Sequence, residues 1–591
     1  MCGIHLIWGK GANQDSIQSL VDSSQHRGPD QSAVFSPWHG LWVGVNRLKI
    51  LHPGSDADQP FWDQEGKSLL VWNGEIYNFK ELRGGLTRMG VEFSTQSDTE
   101  VLLQHLKFFG TEGLPKLNGM FAIIYINLVQ KSVLVARDRN GEKPLYYSQS
   151  PEALILSSET AGISKLTKAE LDPLQIPSFY YFRSATPGKT FYKGIREWKP
   201  SRYSTILQHS TFRWDNIPMP KKTSENPSLA LFQEILQEAV KTQFHADVPV
   251  GMMLSGGSDS SLLYANWYKT TGTLLPAYTI QVEKKYRSKY QDADFAQKFV
   301  KQFPANHIMV PVDQKSFLDQ WDSYLSSVDQ PVGDSAGFLT WMLAQEAKKE
   351  VKVLISGAGA DELWGGYRRH SAFTQYLKQK DFWIQWAKTL GKIPLGREWK
   401  KMMSGIDQDP KKTFLNFSAL ENLDPDLVED YARIFDPKLP FYKQMLDFDR
   451  QVYLVQDVLK IQDNALMAHG IEGRSPYLGS KMLALWKTVE DPKLLLDKPW
   501  IKASLDEYGL NWISKRKKFG FGLPLQEWLL EGGPVAVKIF STLKEFGKSR
   551  ESELPLAVRD LCQNPEKKVK SHFLTLYNLF LLAEWWKLHQ S

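Results

Sequence analysis

Apolar positions follow two different spacings, and the change between them divides the chain. Between residues 4 and 157, short runs of β-branched, aromatic and aliphatic residues predict strands over 4–8, 41–51, 69–72, 121–128, 133–137 and 154–157. Two stretches with helical spacing, 15–24 and 99–109, interrupt them. Strands in series with few helices between them predict an α+β unit of layered sheets. Residues 201–227 lose periodicity, are rich in Ser, Pro and Lys, and read as a connection between domains.

Beyond the connection the pattern alternates. Helices are predicted over 231–245, 290–303 and 335–350, and buried strands over 250–254, 275–282, 307–311 and 351–355. Such alternation implies an α/β unit with a parallel sheet covered by helices on both faces. The chain then turns helical and rich in Trp and Lys. Two domains follow, 2–210 and 228–591, the second ending in a helical part. The Trp residues are expected in core and interface packing rather than as a base-stacking platform.

Composition narrows the class. The 591 residues exceed one ordinary core. With 42% hydrophobic and 23% charged residues the chain reads as soluble and globular. No run reaches the ~18 apolar residues of a membrane span, and no leader is seen at the N-terminus. A net charge of +6 is mild for this length, so no nucleic-acid partner is expected. The basic cluster at 515–518 reads as a solvated face or a phosphate-facing loop. Cys2 and Cys562 are the two cysteines, which excludes a disulfide framework and points to a reducing, cytoplasmic setting. Cys562 reads as an inert helix-end residue.

Polar motifs sit at the predicted strand ends. The strand 250–254 runs into Ser255, Gly256, Gly257, Ser258, Asp259 and Ser260, with Asp259 and Ser260 near the cap of the next helix. A strand, a glycine turn and a helix N-terminus offer outward N–H groups to an anion. No Lys follows the glycines, so this is not a Walker A loop. An Asp beside hydroxyls suits a pyrophosphate held with Mg²⁺. Taken alone, the segment also admits the reading of an ordinary strand-to-helix turn. A second loop, Ser356 to Tyr367, again follows a strand and carries Asp361 and Glu362. Both loops should open on one crevice beyond the strand ends, where Asp259 and Asp361 would share a Mg²⁺ on ATP.

At the N-terminus, Cys2 can become the first residue once Met1 is removed. Its own α-amine, with a pKa near ~8, would then take the thiol proton. On position alone a buried inert Cys is the competing reading.

The order of motifs carries a resemblance. Met1-Cys-Gly-Ile4, His26-Arg-Gly-Pro-Asp30, Asn73-Gly-Glu-Ile-Tyr-Asn78, Ser97-Asp-Thr-Glu100 and Arg137-Asp-Arg-Asn-Gly-Glu-Lys-Pro-Leu-Tyr146 resemble the glutaminase domain of class II glutamine amidotransferases. Those domains are N-terminal-nucleophile hydrolases with αββα layering. The resemblance implies Cys2 as nucleophile, with Asn73 and the Gly74 N–H as oxyanion hole. It implies Arg47 on the glutamine α-carboxylate, and Asn73, Glu75 and Asp98 as further glutamine-binding residues, the two acids on the α-ammonium. The family often has Ser where this chain has Lys49.

Residues 228–530 resemble the synthetase domain of asparagine synthetases, an adenylating fold of the pyrophosphate-loop type. The motifs are the two loops above, Asp329 to Ser335, Met467 to Leu478, and Arg516 to Trp528. The resemblance implies an ATP site with Leu254, Ser255, Gly256, Gly257, Asp259, Ser260, Ile280, Ser356, Gly357 and Lys498, with Mg²⁺ on Asp259 and Asp361. It implies glutamine, aspartate and ATP as small-molecule substrates and allows a homodimer. Ala358 stands where the family has an acid tied to acyl-adenylate formation. Ser258, Lys502 and Gly479 also depart from the usual residues.

The expected activity is glutamine-dependent asparagine synthesis through a β-aspartyl-AMP. The same chemistry on a cell-envelope, peptide or antibiotic-precursor carboxylate stays open because of Ala358. Intramolecular lactam formation would not require an intact Cys2 set, and a silent binding protein would show neither activity.

Overall fold

The structure, a computed structural model, describes residues 2–209, 211–390, 397–516 and 520–590. Two six-stranded sheets make the N-terminal unit, and their contacting pairs are antiparallel. Alternation along the strands explains the layering. Ile4, Leu6 and Trp8 face Leu69, Val71, Ile124 and Val135 in the core between the sheets. Ile7 points the other way, with Ile17 and Leu20 of the helix Gln14–Ser23. Leu70 and Trp72 meet Leu102, Leu103 and Leu106 of the helix Asp98–Phe109. Helix, sheet, sheet, helix is the expected order, and each buried aliphatic on these faces contributes about 1.5–3 kcal/mol.

Differences from expectation cluster at polar sites. The strand predicted over 69–72 runs Ser68–Ile76, so Asn73, Gly74 and Glu75 lie on a strand rather than in a loop. The strand predicted over 41–51 stops at Arg47. The supposed connection from residue 201 begins inside the sheet: Arg202–Ile206 pairs with Ser132–Arg137, and Ser204 and Ile206 are fully buried.

The second unit holds a five-stranded parallel sheet in the spatial order Asn306–Val312, Pro276–Val282, Val250–Met253, Val353–Ile355, Glu472–Arg474. Chain order reverses between Val250–Met253 and Val353–Ile355, and such a switch point opens a crevice at the carboxyl ends of its strands. Tyr278, Ile280 and Leu354 pack on one face with the helix Ala336–Ala347. Ala277, Val353 and Ile355 pack on the other with the helix Ser258–Thr271. The helix starts two residues earlier than the predicted cap: Gly257 is the cap, and Asp259 lies in the first turn. The last strand, Glu472–Arg474, is short, charged and fully buried, a pattern that no strand periodicity announces.

The C-terminal helices close the molecule. Pro565–His589, kinked at His572, stacks Phe580 on Trp321 at 4.7 Å and sets Trp585 against Phe191 at 5.6 Å. It therefore ties the end of the first unit to the second. Trp198, Trp321, Trp364, Trp528, Trp585 and Trp586 are all fully buried, as expected of packing residues. No described helix is long and apolar enough to cross a membrane.

Candidate active sites

The first site is built on the opening strand and its neighbours. Cys2 is buried, and its backbone nitrogen donates to Asn73 Oδ1 at 2.8 Å. That bond turns the other half of the amide inward. Asn73 Nδ2 is buried and finds no hydrogen-bond partner among the described residues. An unpartnered buried donor costs about 1–3 kcal/mol, so it marks a position held for something that arrives. Gly74 follows at φ +155°, and a Cβ there would lie 2.0 Å from the Met120 carbonyl oxygen, so no side chain fits. Burial pushes the Cys2 thiol up; the Leu48 N–H and the Arg47 charge pull it partly back.

Arg47 ends its strand and turns into the strap 48–58. Its Nη1 donates to Asp58 Oδ1 at 2.5 Å and to the Gly54 carbonyl at 3.1 Å; its Nη2 donates to the His52 and Leu51 carbonyls at 2.9 and 3.5 Å. The predicted pair Glu75 and Asp98 is brought together at a junction with the second unit. Arg474 sits 3.2 Å from Glu75 and 2.6 Å from Glu472, and also donates to the Gln243 and His245 carbonyls. Burial drives Glu75 well above the usual carboxylate range, with the Glu472 charge adding to it. Burial likewise pushes Asp98 up to about 6, against the Ile76 N–H that donates to its carboxylate. Glu472 resists burial through its contact with Arg474 and is held low.

A second strut reaches the cysteine. Arg27, fully buried, donates from Nε to the Cys2 carbonyl at 3.4 Å and through both terminal nitrogens to Asp463, at 2.8 and 3.0 Å. Its Nη1 also meets Glu159 at 3.0 Å. Motif order gives no individual role to Arg27, Asp58, Glu472 or Arg474. The signal for Arg27, Glu472 and Arg474 is that each is a charged residue inside a quoted motif.

The second site lies at the switch point. A Cβ on Gly357 would stand 2.9 Å from Asp259 Cβ, so the two strand-end loops touch. Asp259 and Asp361 converge on Lys498, whose Nζ lies 2.8 and 2.6 Å from the Asp259 oxygens and 2.5 Å from Asp361 Oδ1. Burial alone would lower Lys498; the two carboxylates outweigh it and hold the ammonium above its ordinary value. Lys498 caps its helix at φ +56° and packs on Gly366, where a Cβ would lie 2.2 Å from its Cε. Ser255 and Ser260 hydroxyls lie 3.2 Å apart, and Ser255 Oγ accepts from the Gly257 N–H. Ser356 Oγ donates to Gln462, and its N–H donates to the Arg474 carbonyl at 2.9 Å.

The Leu254 and Ile280 side chains pack in different cores, while the Leu254 N–H donates to the Tyr278 carbonyl at 2.9 Å. Of the two readings of the basic cluster, Arg516 does not fit the solvated face. Its guanidinium stacks 3.9 Å from the Phe295 ring, pairs with Asp292 at 2.6 Å and donates to the Gly256 carbonyl at 3.1 Å, holding the first loop. Lys517 and Lys518 lie outside the described residues. Cys562 is fully buried, its thiol pushed up to about 12 by burial, as an inert residue should be.

Two family models match the chain, one in each half. Residues 1–214 match the family model "Glutamine amidotransferase domain", and residues 231–587 match "Asparagine synthase". The asparagine synthetase [glutamine-hydrolyzing] 1 of Bacillus subtilis is 27% identical over 586 residues, covering 90% of this chain and 88% of its own. Amidase chry2 of Gibberella zeae is also 27% identical, over 89% of this chain and 87% of its own. A solved structure, the glutamine phosphoribosylpyrophosphate amidotransferase from B. subtilis, has a TM-score of 0.29 at 16% identity, over 63% of this chain and 77% of that chain.

Proposed function

The chain belongs to the asparagine synthase family, and on that premise we propose that it makes asparagine from aspartate, ATP and the side-chain nitrogen of glutamine. The observation that carries this reading is the convergence of Asp259 and Asp361, from two strand-end loops, on the Lys498 ammonium. A crevice of that kind suits expulsion of pyrophosphate, and it occurs in one chain with the Cys2–Asn73 arrangement.

At the first site the Cys2 sulfur attacks the glutamine side-chain carbonyl. Asn73 Nδ2 and the Gly74 N–H receive the oxyanion, a charge that exists only as the bond forms. Arg47 takes the α-carboxylate, and Glu75 and Asp98 take the α-ammonium. Ammonia leaves, and water hydrolyses the thioester to glutamate. At the second site the aspartate side-chain carboxylate attacks the α-phosphorus of ATP and pyrophosphate departs. Ammonia then attacks the acyl-AMP carbonyl, and AMP leaves with asparagine formed. Lys498 stabilises the charge on the departing phosphates, and Ser255 to Ser260 and Ser356–Gly357 cradle them. Enclosure keeps ammonia unprotonated and water away from the adenylate.

Two carboxylates within 2.5–2.8 Å of one cation are a hard-oxygen donor set suited to Mg²⁺. Among the described residues no group of three or more His, Cys, Asp or Glu could hold a metal. Asp259 and Asp361 would hold Mg²⁺, which neutralises phosphate charge when bound. Both cysteines are free and buried, which supports a cytoplasmic setting.

The test is pyrophosphate release across candidate acids, with product identification. Asparagine formed with aspartate as sole acceptor supports the reading; pyrophosphate release on another acid without asparagine overturns it. Two observations favour that second outcome. Ala358 leaves the acceptor end of the crevice without the family's acid, and a relative named as an amidase is, at 27%, as identical as the synthetase of Bacillus subtilis.

A further inference from the structure

We propose that Asp58 and Lys49 set the affinity of the first site for glutamine. Asp58 is a resident carboxylate on Arg47 that the substrate must displace, and Lys49 is the cation that keeps Asp58 once displaced. The proposal rests on the reading that Arg47 binds the glutamine α-carboxylate.

The geometry is specific. The two terminal nitrogens of Arg47 carry four N–H hydrogens, and four acceptors take them. Three are main-chain carbonyls of the strap that Arg47 itself opens, at Leu51, His52 and Gly54. The fourth is the Asp58 carboxylate, at 2.5 Å. A carboxylate entering from solution matches the charge of Asp58 and can replace it with no loss of pairing. It cannot replace a carbonyl without leaving a main-chain group unpaired in a buried place.

Asp58 also has somewhere to go. Lys49 Nζ lies 3.0 Å from the same Oδ1. The Arg47 side chain is 4% exposed, Lys49 19% and Asp58 29%, so the three run from the pocket floor to its rim. Asp58 can leave Arg47 outward and stay paired. The first half of the strap is fixed to both units: the Lys49 N–H donates to Asp30, and the His52 N–H donates to Asp247 of the second unit. Exchange of one carboxylate for another thus requires no movement of the strap. A Ser at position 49 would offer no such cation.

The test is glutaminase kinetics on the full-length enzyme, with ammonia-dependent synthesis as the check that each variant folds. Asp58→Asn should lower the KM for glutamine by about tenfold or more at unchanged kcat, the scale of one charge-assisted hydrogen bond. Lys49→Ser should raise KM, because Asp58 then has Arg47 as its sole cation. The double variant should match Asp58→Asn alone, since Lys49 acts through Asp58. With glutamine α-methyl ester, which lacks the charge, Asp58→Asn should give no gain. A merely structural role predicts KM rising in both single variants, and that result, or additive effects in the double variant, overturns the proposal. Arg47→Gln separates the two layers. If it leaves KM unchanged, the role of Arg47 falls. If it raises KM while Asp58→Asn does not lower it, the role of Asp58 alone falls.

Discussion

Asn73→Asp is the sharpest test of the first site. The substitution keeps the shape and the Oδ1 acceptor that holds the Cys2 nitrogen at 2.8 Å, and it deletes the Nδ2 donor. In the resting enzyme that donor has no partner among the described residues, so its loss removes no ground-state bond. An interaction made only in the transition state appears in kcat and leaves KM alone. Removing one oxyanion donor costs about 2.7–4 kcal/mol, or about 100- to 1,000-fold in kcat. The new carboxylate repels the developing oxyanion, so about 100-fold is a lower bound. The measurement is steady-state glutamate release, with ammonia-dependent synthesis as the folding control. Glutaminase kcat within tenfold of the parent in a folded variant would refute the assignment of Nδ2. A rise in KM at unchanged kcat would show that the amide binds substrate rather than oxyanion.

Other outcomes follow from the same geometry. Cys2→Ala should abolish glutamine-dependent synthesis and spare the ammonia-dependent reaction; loss of both in a folded protein would break the two-site division. Lys498→Met should cost synthesis more than about 100-fold while glutaminase stays within twofold, because Lys498 bridges only the carboxylates of the second site. The KM for glutamine should rise as pH falls through about 6, where the Asp98 carboxyl takes a proton and loses its hold on the α-ammonium; Asp98→Asn should raise KM and flatten that limb, and a pH-independent KM in the parent would contradict it. Arg474→Gln leaves Glu472 and Glu75 without their buried cation and should destabilise the protein by about 3–5 kcal/mol, read as a fall in the denaturation midpoint at constant m.

The layers and the parallel sheet were legible because aliphatic spacing is a direct record of which faces are buried. The strand Gly3–Gly9 and the helix Asp98–Phe109 fall within a residue or two of expectation for that reason. The pattern fails where function puts polar groups in the core. Asn73, Gly74 and Glu75 interrupt the alternation, so the pattern stops before the site the strand carries. Glu472 and Arg474 satisfy each other in a buried strand, and two charges in three residues read as a loop. Motif order supplied the candidates for both sites, since it needs no periodicity. It could not supply Asp58 on Arg47, which depends on a strap folding back across eleven residues.

Arg474 has a consequence for how such a chain can be cut and recombined. Its side chain completes the wall behind Glu75, and its carbonyl receives the N–H of Ser356 in the ATP loop. A first unit transplanted alone would expose that wall and leave Glu75 beside Asp98 with no guanidinium between them and the new partner. A graft from a relative should therefore succeed only if the segment Glu472–Arg474 travels with it, although that segment belongs, by position along the chain, to the other half. The inheritable module is a pair of surfaces, and it crosses the boundary that any linear dissection would choose.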